Sequence, residues 1–489
     1  MTQQLTSETF GANAREALRD TVLHGALRNL ADNFVERRRL AMSSVDDWEG
    51  LRETARAVKD ETLLHLDRYL EQFAENAKRA GAKIHWARDA AEARDIVIGI
   101  VKKSGADSVV KSKSMATEEI HLNDALEAAG IEPIETDLGE WIIQLAGETP
   151  SHIVVPAIHK TKAQIAELFA DKVGIEKTED VDVLTRTARE ILRKRFAAAK
   201  VGISGVNFGV AETGTILILE NEGNARMTTS LPEVHIAVMG IEKVIPKFSD
   251  LDVFLKLLPR SGTGQRLTAY QSLITGTKRN AADEGPNEVH IVLMDNGRSR
   301  MLAHPVTRQS LACIRCGACL NVCPVYQQVG GHAYGSVYPG PIGAVITPQL
   351  IGISKAKQLP YASSLCGACR EVCPVKIDIP ELLLHLRAEI TDGTAGGSPV
   401  NPERKRKFVE SLVFRLYGFA WSSPKLYTVA NKTARLFQKL AVRNGTIGQS
   451  NFILKLLAPP LGAWTASRDA QPLAPKTFRE QWRDGSLNK

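Results

Sequence analysis

The chain has 489 residues, of which 44% are hydrophobic and 24% charged, as in an ordinary folded protein large enough for about three domains. It has no run of about 18 apolar residues and no apolar segment of a signal peptide at its start, so we expect a cytoplasmic protein without a membrane span. The net charge of +7 is concentrated in residues 401–489, which contain 16 Lys+Arg and 5 Asp+Glu.

Residues 1–80 are predicted to be helical, because Leu51, Ala55 and Val58 begin a series of apolar residues at helical spacing. From residue 81 the pattern becomes an alternation of strands and helices. The predicted helices are 91–104 and one that opens near Met115, and the predicted strands are 82–86, 108–111, 131–135, 216–220, 234–239 and 289–294. This alternation predicts an α/β domain over residues 81–300, with a parallel sheet covered by helices.

All seven cysteines lie between Cys313 and Cys373, in two runs of the spacing that binds iron–sulfur clusters. The first run, residues 313–324, is C-x2-C-x2-C-x3-C-P, and the second repeats it without its first cysteine. Zinc sites typically use paired C-x2-C units with four local ligands, and disulfide frameworks have dispersed cysteines in secreted chains. The doubled motif therefore predicts two [4Fe–4S] clusters.

In two-cluster ferredoxins the last cysteine of each run binds the other cluster. This rule assigns Cys313, Cys316, Cys319 and Cys373 to cluster 1, and Cys323, Cys366 and Cys369 to cluster 2. Cluster 2 then lacks one cysteine, and Ser363 stands where it would be. Either Ser363, Ser364, water or a partner completes the shell, or the site holds three irons, or Ser363 is only a helix-capping serine.

The cysteine runs define a third region, residues 305–390. The 42 residues between Cys323 and Cys366 are more than a compact ferredoxin hairpin needs, and residues 379–390 have a helical pattern. We therefore predict a helical two-cluster ferredoxin domain, with an ordered loop at 329–343. A Gly/Ser/Thr linker at 391–399 separates it from a small basic helical domain, residues 400–489.

Two polar segments outside the cysteine runs are candidate ligand sites. In residues 211–226, Glu212, Asn221 and Arg226 flank a short strand, and an arginine there suits a carboxylate. His235, Glu242 and Lys243 follow this segment in the chain. In residues 111–119 a strand leads into a helix, where four side chains favour an anion: Lys111, Ser112, Lys113 and Ser114.

Structural roles are the alternative for several of these residues. Glu212 would then only cap or pair, and Ser114 would only be a helix N-cap. His152 and His159 lie among apolar residues and are expected to be structural. The chain has no G-x-G-x-x-G fingerprint for a flavin or nicotinamide cofactor, so clusters without such a cofactor favour a relay of electrons over hydride chemistry.

The basic tail leaves three interpretations open: packing as a helical domain, docking on an acidic partner, or peripheral contact with an anionic membrane surface. No recognition motif for nucleic acid accompanies its charge. Its large aromatic residues are Phe414, Phe419, Trp421, Phe437, Phe452, Trp464 and Trp482.

Four segments together resemble the lactate utilisation protein B family: residues 211–246, 313–326, 365–375 and 475–482. The similarity extends over about residues 30–485. It implies a LUD domain of the NagB/RpiA/CoA-transferase class, a helical ferredoxin domain with two [4Fe–4S] clusters, and a C-terminal family domain. It also implies a role in oxidising L-lactate to pyruvate with two partners, a cysteine-rich subunit and a smaller LUD-domain subunit. The family pattern has seven cysteines as well, and it does not settle the catalytic residues.

From the residues and the resemblance together we predict an electron-transfer subunit of an L-lactate oxidation complex. One rival is a CoA- or sugar-phosphate-type enzyme on the LUD scaffold, with structural clusters and Glu212 as nucleophile. Another is an iron–sulfur scaffold or sensor subunit. The sequence does not separate lactate from another small 2-hydroxy acid such as glycolate.

Overall fold

The computed structural model describes residues 6–280, 282–392, 408–440, 442, 445–447 and 470–485. The chain divides into two compact units, Met1–Arg404 and Lys405–Lys489. The first unit therefore contains the N-terminal helices, the α/β region and both cysteine runs.

Four helices open the first unit, as predicted: α1 (Phe10–Ala17), α2 (Thr21–Met42), α3 (Trp48–Leu64) and α4 (Leu66–Arg79). Asp20 and Asp47 are the N-caps of α2 and α3, and each side chain accepts a hydrogen bond from a backbone N–H three residues further on. α2, α3 and α4 each bury apolar residues, such as Leu27, Ala55 and Phe73, which explains the helical spacing in the sequence.

A six-stranded sheet forms the centre of the α/β region. Its strands are β1 (Lys83–Ala87), β2 (Ser108–Lys111), β3 (Glu132–Glu135), β4 (Val201–Gly205), β7 (Val234–Gly240) and β10 (Glu288–Met294). The order is β1-β10-β7-β4-β2-β3 and every neighbouring pair is parallel, which confirms the predicted parallel sheet. The α/β helices are α5 (Ala90–Lys103), α6 (Met115–Glu119), α7 (Leu122–Ala128), α8 (Leu138–Ala146), α9 (Lys162–Val173), α10 (Val181–Ala198), α11 (Asn224–Ser230), α12 (Leu251–Gly262) and α13 (Arg298–Ala303).

The predicted strand at 216–220 exists, but it belongs to a second sheet. This sheet has the order β8-β5-β6-β9, formed by β5 (Phe208–Val210), β6 (Thr215–Glu220), β8 (Val244–Ile245) and β9 (Tyr270–Ile274). β6 pairs antiparallel with both of its neighbours. Gly214 closes the tight turn between β5 and β6 at φ 69°, and a side chain there would collide with the backbone of α4.

The cysteine runs lie in a segment without strands between residues 304 and 392. Its helices are α14 (Ala318–Asn321), α15 (Tyr326–Val329), α16 (Gly340–Ile351), α17 (Ala368–Val372) and α18 (Ile379–Asp392). Short 3-10 helices also occur in the first unit, at Ser7–Thr9, Ile241–Lys243, Phe248–Asp250, Thr307–Ala312, His332–Tyr334 and Leu359–Tyr361. In the predicted loop 329–343, Tyr334 and Tyr338 are buried, and α16 begins inside it at Gly340.

One apolar core joins the N-terminal helices, α12 and the cysteine segment. Leu27 and Trp48 from the helices, Phe254 from α12, and Leu311 and Tyr326 from the cysteine segment belong to this core. The three regions that the sequence separates as 1–80, 81–300 and 305–390 therefore fold against one another.

The second unit contains α19 (Phe408–Ser422), α20 (Pro424–Gln438) and a short helix, Phe478–Arg483. Arg435 of α20 pairs with Glu480 of the short helix at 2.9 Å. The described aromatic side chains of the basic tail are largely exposed, whereas Phe452 and Trp464 lie outside the described residues. None of the helices in the described part of the chain has the length and hydropathy needed to cross a bilayer.

Candidate functional site between the sheet and the cysteine runs

The seven cysteines are free thiols, of which four are buried, two are partly buried and one, Cys366, is exposed. Burial, with smaller contributions from Cys313 and Cys373, raises the pKa of Cys316 to about 12. Burial, followed by Cys323 and Cys366, raises the pKa of Cys369 to about 12. Such buried thiols become thiolate ligands when a bound metal displaces their protons.

Backbone N–H groups point at sulfur atoms in both runs. Arg315 N lies 3.4 Å from Cys313 Sγ, Tyr326 N lies 3.5 Å from Cys323 Sγ, and Ile377 N lies 3.4 Å from Cys373 Sγ. Hydrogen bonds to cluster sulfurs are among the features that set the reduction potential of an iron–sulfur cluster. The donor set, seven cysteines with backbone donors, therefore fits iron–sulfur ligation.

The two runs differ in exposure at one position. Cys366 of the second run is exposed to solvent, whereas the other six cysteines are buried or partly buried. Near Cys366, the Ser363 hydroxyl accepts a hydrogen bond from Leu365 N at 3.1 Å. The interpretation of Ser363 as a helix cap is wrong, because α17 starts five residues later and its N-cap is Gly367. Ser363 instead stabilises the turn that precedes Cys366.

The N-terminal helices hold the second run. Arg52 of α3 is buried and donates to the carbonyl oxygens of Cys373, at 2.7 Å, and Glu371, at 2.9 Å. Arg38 of α2 donates to Val372 O at 3.2 Å, next in the same chain segment. These bonds satisfy carbonyls around Cys373 that the short helix α17 leaves unpaired.

The α/β region holds the first run. Buried His152 accepts backbone N–H bonds at Nδ1, and its Nε2 lies 3.1 Å from Asn321 Oδ1. Asn321 in turn donates to Gly262 O at 3.0 Å, and a Cβ on Gly262 would lie 2.6 Å from Cys316 O. Burial lowers the pKa of His152 to about 3, so this histidine is neutral. His159 bonds Ser151 Oγ and the Glu148 carboxylate in a neighbouring turn.

A cavity of about 270 Å³ lies between the two sheets and the first cysteine run. It brings the two polar segments of the sequence together, because residues 112–116 form one part of its wall and residues 218–222 another. Further parts of the wall are Glu242 and Lys243, next to β8, and Arg315 and Cys316. The cavity therefore places a ligand-sized space beside the proposed cluster 1.

A buried ion network forms the floor between the sheet and the first run. Arg298 bonds Glu242 at 2.5 Å and Glu119 with two bonds of 2.8 Å, and the hydroxyl of Tyr338 donates to Glu119 at 2.6 Å. Burial alone would raise the pKa of Glu242, but Arg298 and Arg315 outweigh it and hold this pKa at about 2. The network therefore fixes Arg315, whose guanidinium also stacks 4.8 Å above the Tyr338 ring.

Three polar groups on the cavity wall have unused hydrogen-bonding capacity within the described residues. The Arg315 side chain is only 8% exposed, and its buried Nη1 has no partner. The buried Ser112 hydroxyl also has none, and Lys243 Nζ makes no hydrogen bond or ion pair. Burial and then the charge of Arg315 lower the pKa of Lys243 to about 8.

The three candidate residues of the 211–226 segment have different positions. Asn221 lines the cavity, where its amide exchanges hydrogen bonds with Gln265. Glu212 and Arg226 do not line it. Glu212 lies at the β5–β6 turn and accepts a hydrogen bond from Phe248 N at 2.8 Å. The structure thus does not bring the three residues together.

The 111–119 segment divides in a similar way. Ser112, Lys113 and Ser114 line the cavity, and Ser114 is also the N-cap of α6. Lys111 is buried away from the cavity and pairs with Glu135 at 2.7 Å and with Glu118 at 3.1 Å. Lys111 therefore belongs to an internal ion cluster and leaves no free charge for an anion. His235 is also buried, within β7, and bonds Ser204 at 2.8 Å.

Arg298, Arg315 and Tyr338 are site residues that the sequence analysis missed. Arg315 stands between two cysteines of the first run, at one of the variable positions of the motif. The sequence alone does not show that the side chain at such a position lines a cavity. Arg298 follows the carboxyl end of β10, the edge of a parallel sheet where ligands commonly bind, and that position was an available signal.

Comparisons with known proteins agree with this architecture. Family models match residues 70–294 (LUD domain), 309–377 (4Fe-4S dicluster domain) and 385–486 (lactate utilisation protein B, C-terminal). A solved structure of a DUF162 family protein from Deinococcus radiodurans matches 47% of this chain and 98% of its own at 13% identity, and its TM-score of 0.25 carries no conclusion.

Two full-length relatives are both called lactate utilization protein B. The one from Shouchella clausii is 42% identical over 99% of this chain and 98% of its own. The one from Bacillus licheniformis is 41% identical over 100% of this chain and 99% of its own. The dicluster match together with the cysteine runs identifies an iron–sulfur protein, and the chain belongs to the lactate utilisation protein B family.

Proposed function

We propose that this protein is the iron–sulfur electron-transfer subunit of a system that oxidises L-lactate to pyruvate. The family and the names of the relatives support a role in lactate utilisation. The observation that carries the electron-transfer role is the placement of the two runs, since Cys316 lines a ligand-sized cavity and Cys366 is exposed. A path for electrons from a bound substrate to an external acceptor needs one end at the substrate cavity and the other at the protein surface.

The proposed ligand sets are the crossed ones, Cys313, Cys316, Cys319 and Cys373 for cluster 1, and Cys323, Cys366 and Cys369 for cluster 2. Cys313 and Cys373 act on Cys316, and Cys323 and Cys366 act on Cys369, which supports this division. Cys319 lies between the two sets, since Cys369 acts on it as well as Cys313, Cys316 and Cys373. When bound, each cluster accepts one electron at a time, so that two take up the pair released by a 2-hydroxy acid.

Oxidation of L-lactate breaks the O–H and C–H bonds of the alcohol carbon, forms the C=O bond of pyruvate, and releases two electrons and two protons. The protein's part is to hold and orient the substrate beside the first run. The cavity offers the space, and the ion network of Glu242, Arg298 and Glu119 holds its wall in place.

The proposed partners are a cysteine-rich subunit and a smaller LUD-domain subunit, and we place the system in the cytoplasm. We also infer that the α/β region has the NagB/RpiA/CoA-transferase class of fold, which the helix-covered parallel sheet supports. The rival CoA- or sugar-phosphate-type enzyme, which needs Glu212 as its nucleophile, is less favoured. The Glu212 carboxylate accepts a hydrogen bond from the backbone N–H of Phe248, and Glu212 does not line the cavity.

Anaerobic electron paramagnetic resonance of the chain with its partner subunits tests the proposal. We expect reduced-cluster signals to appear rapidly after addition of L-lactate and not after addition of D-lactate. Glu212→Gln should behave as the unchanged protein. Intact clusters that never respond to L-lactate would exclude the electron-transfer role, and loss of all turnover in Glu212→Gln with intact clusters would support the rival enzyme.

A further inference from the structure

We propose that the cavity beside the first cysteine run is a binding site for a small carboxylate anion, held by Arg315, Lys243 and Ser112. The identity of this anion as a 2-hydroxy acid rests on the proposed function, whereas the existence of the site rests on the unfilled donors of the cavity wall.

The charge around the first run favours an anion. Four basic side chains influence one another there, those of Lys59, Lys243, Arg298 and Arg315. The acidic groups that act on them include the carboxyl groups of Glu119 and Glu242 and the thiol of Cys313. Arg298 forms ion pairs with both carboxylates, and Lys59 from α3 donates to the backbone carbonyl oxygen of Glu242 at 2.5 Å. The remaining basic groups, Lys243 and Arg315, have the cavity in front of them. Buried N–H groups without partners are costly, and a bound anion would supply partners for Arg315 Nη1 and for Lys243 Nζ.

The donors suit a carboxylate. The second guanidinium nitrogen of Arg315, Nη2, makes only a 3.5 Å contact with Glu242, and Nη1 has no partner among the described residues. A planar guanidinium with free N–H groups binds a carboxylate by two parallel hydrogen bonds, while an ammonium such as that of Lys243 adds a point charge. The unpartnered Ser112 hydroxyl supplies a neutral donor or acceptor, as a substrate hydroxyl would need.

The size of the cavity is compatible with such a ligand. Pockets for drug-sized molecules usually span about 300–1,000 Å³. At about 270 Å³ this cavity is smaller, and it has room for an acid of a few carbon atoms. Because Cys316 lines the same cavity, a bound acid would lie next to the first run.

The test is equilibrium dialysis of labelled L-lactate, under anaerobic conditions, against the full-length chain loaded with its clusters. We expect saturable binding that weakens at least tenfold in Lys243→Gln and in Arg315→Gln, and about threefold in Ser112→Ala. Lys256→Gln, an exposed lysine of α12 paired with Asp252, is the matched control and should bind as the unchanged protein does. Iron content is measured for every variant.

Arg315 lies between two proposed cluster ligands, Cys313 and Cys316, so its substitution could also remove iron. If Arg315→Gln loses iron, the lactate affinities of Lys243→Gln and Ser112→Ala decide the result. The alternative is that the basic side chains only balance the charge of a cluster. In that case Lys243→Gln would shift the cluster midpoint potential and leave lactate affinity unchanged, which overturns the proposal, as does the absence of saturable binding. Inorganic phosphate that displaces L-lactate more effectively than propionate does would identify a phosphate site and overturn the carboxylate assignment.

This test separates the inference from the proposed function. If Lys243→Gln weakens the binding of L-lactate but L-lactate never reduces the clusters in the presence of the partners, the carboxylate site is supported and the electron-transfer role is excluded. If L-lactate reduces the clusters rapidly but Lys243→Gln binds L-lactate as tightly as the unchanged protein, the carboxylate site is excluded and the electron-transfer role is supported.

Discussion

The two cysteine runs have nearly the same sequence motif but are held by different parts of the protein. The first run packs against the α/β region through Asn321 and Arg315, and Cys316 lines the cavity. The second run packs against the N-terminal helices through Arg52, and Cys366 is exposed. We call the first run the inner run, because it lines the cavity, and the second the outer run, because it reaches solvent at Cys366 while Cys369 and Cys373 are buried. Neighbouring parts of the protein thus give one motif two different environments.

The largest effect that tests this comparison is loss of a cluster. We expect Cys316→Ala and Cys373→Ala to lose the same half of the iron, about four of about eight atoms, because the proposed crossed assignment makes both residues ligands of cluster 1. Cys323→Ala and Cys366→Ala should lose the other half. Iron analysis and electron paramagnetic resonance of the remaining cluster measure this. If Cys373→Ala instead matched Cys366→Ala, the ligand sets would not be crossed.

The ion network should matter for the inner run alone. Glu242→Gln leaves Arg298 and Arg315 without their shared carboxylate at a buried position, so we expect it to lower the free energy of unfolding by about 3–5 kcal/mol. Anaerobic urea unfolding measures this, with Glu36→Gln, from an exposed pair with Arg39, as the control. Equal stability of the two variants would mean that the network does not support the first run.

Arg52 is the corresponding support of the outer run. Arg52→Ala should lower the free energy of unfolding by about 2–3 kcal/mol, since it removes charged hydrogen bonds to the Cys373 and Glu371 carbonyls. The control, Arg39→Ala on the exposed face of α2, should change it much less, because an ion pair exposed to solvent contributes little to stability. We also expect faster iron loss from cluster 1 in Arg52→Ala, because the proposed assignment makes Cys373, although part of the outer run, a ligand of that cluster. Unchanged iron loss and stability would contradict this support.

The stability of the structure around the inner run should also depend on pH, through His152. Its folded pKa of about 3 lies below its ordinary value of 6.5, so the unfolded chain takes up the proton first as the pH falls. His152 therefore costs stability progressively from about pH 6.5 down to about pH 3, at up to about 1.4 kcal/mol per pH unit. His152→Gln should flatten this part of the stability profile. His235, whose pKa burial also lowers to about 3, remains in that variant and gives the residual slope.

The smallest effect is expected at Ser363. Ser363→Ala removes the hydrogen bond from Leu365 N, so we expect a loss of about 1 kcal/mol or less with unchanged iron content. Iron analysis and thermal unfolding measure the two quantities. Loss of iron in this variant, and not in Ser364→Ala, would make Ser363 a ligand of cluster 2.

Much of the first unit was predictable from local patterns. The helices of residues 1–80 and most strands of the parallel sheet follow apolar periodicity, as in β1, β2 and β7. β4 and β5 were missed, because β4 contains two glycines and β5 has three residues, so neither shows a strand pattern. The assignment of β6 to a second sheet depends on pairing with β9, about 50 residues away, which no local pattern encodes.

The sequence by itself determined the chemistry of this protein, because cysteine spacing fixes which metal group can be bound and because the helical and strand periods follow from which residues must avoid water. Only the tertiary structure decided the position of that chemistry. Glu212 and Arg226 are close to Asn221 in the chain and yet do not share its cavity, whereas Arg315 and Lys243 meet there from distant segments. The reason is that a site requires side chains to share one space, and packing of the two sheets against the first cysteine run creates that space.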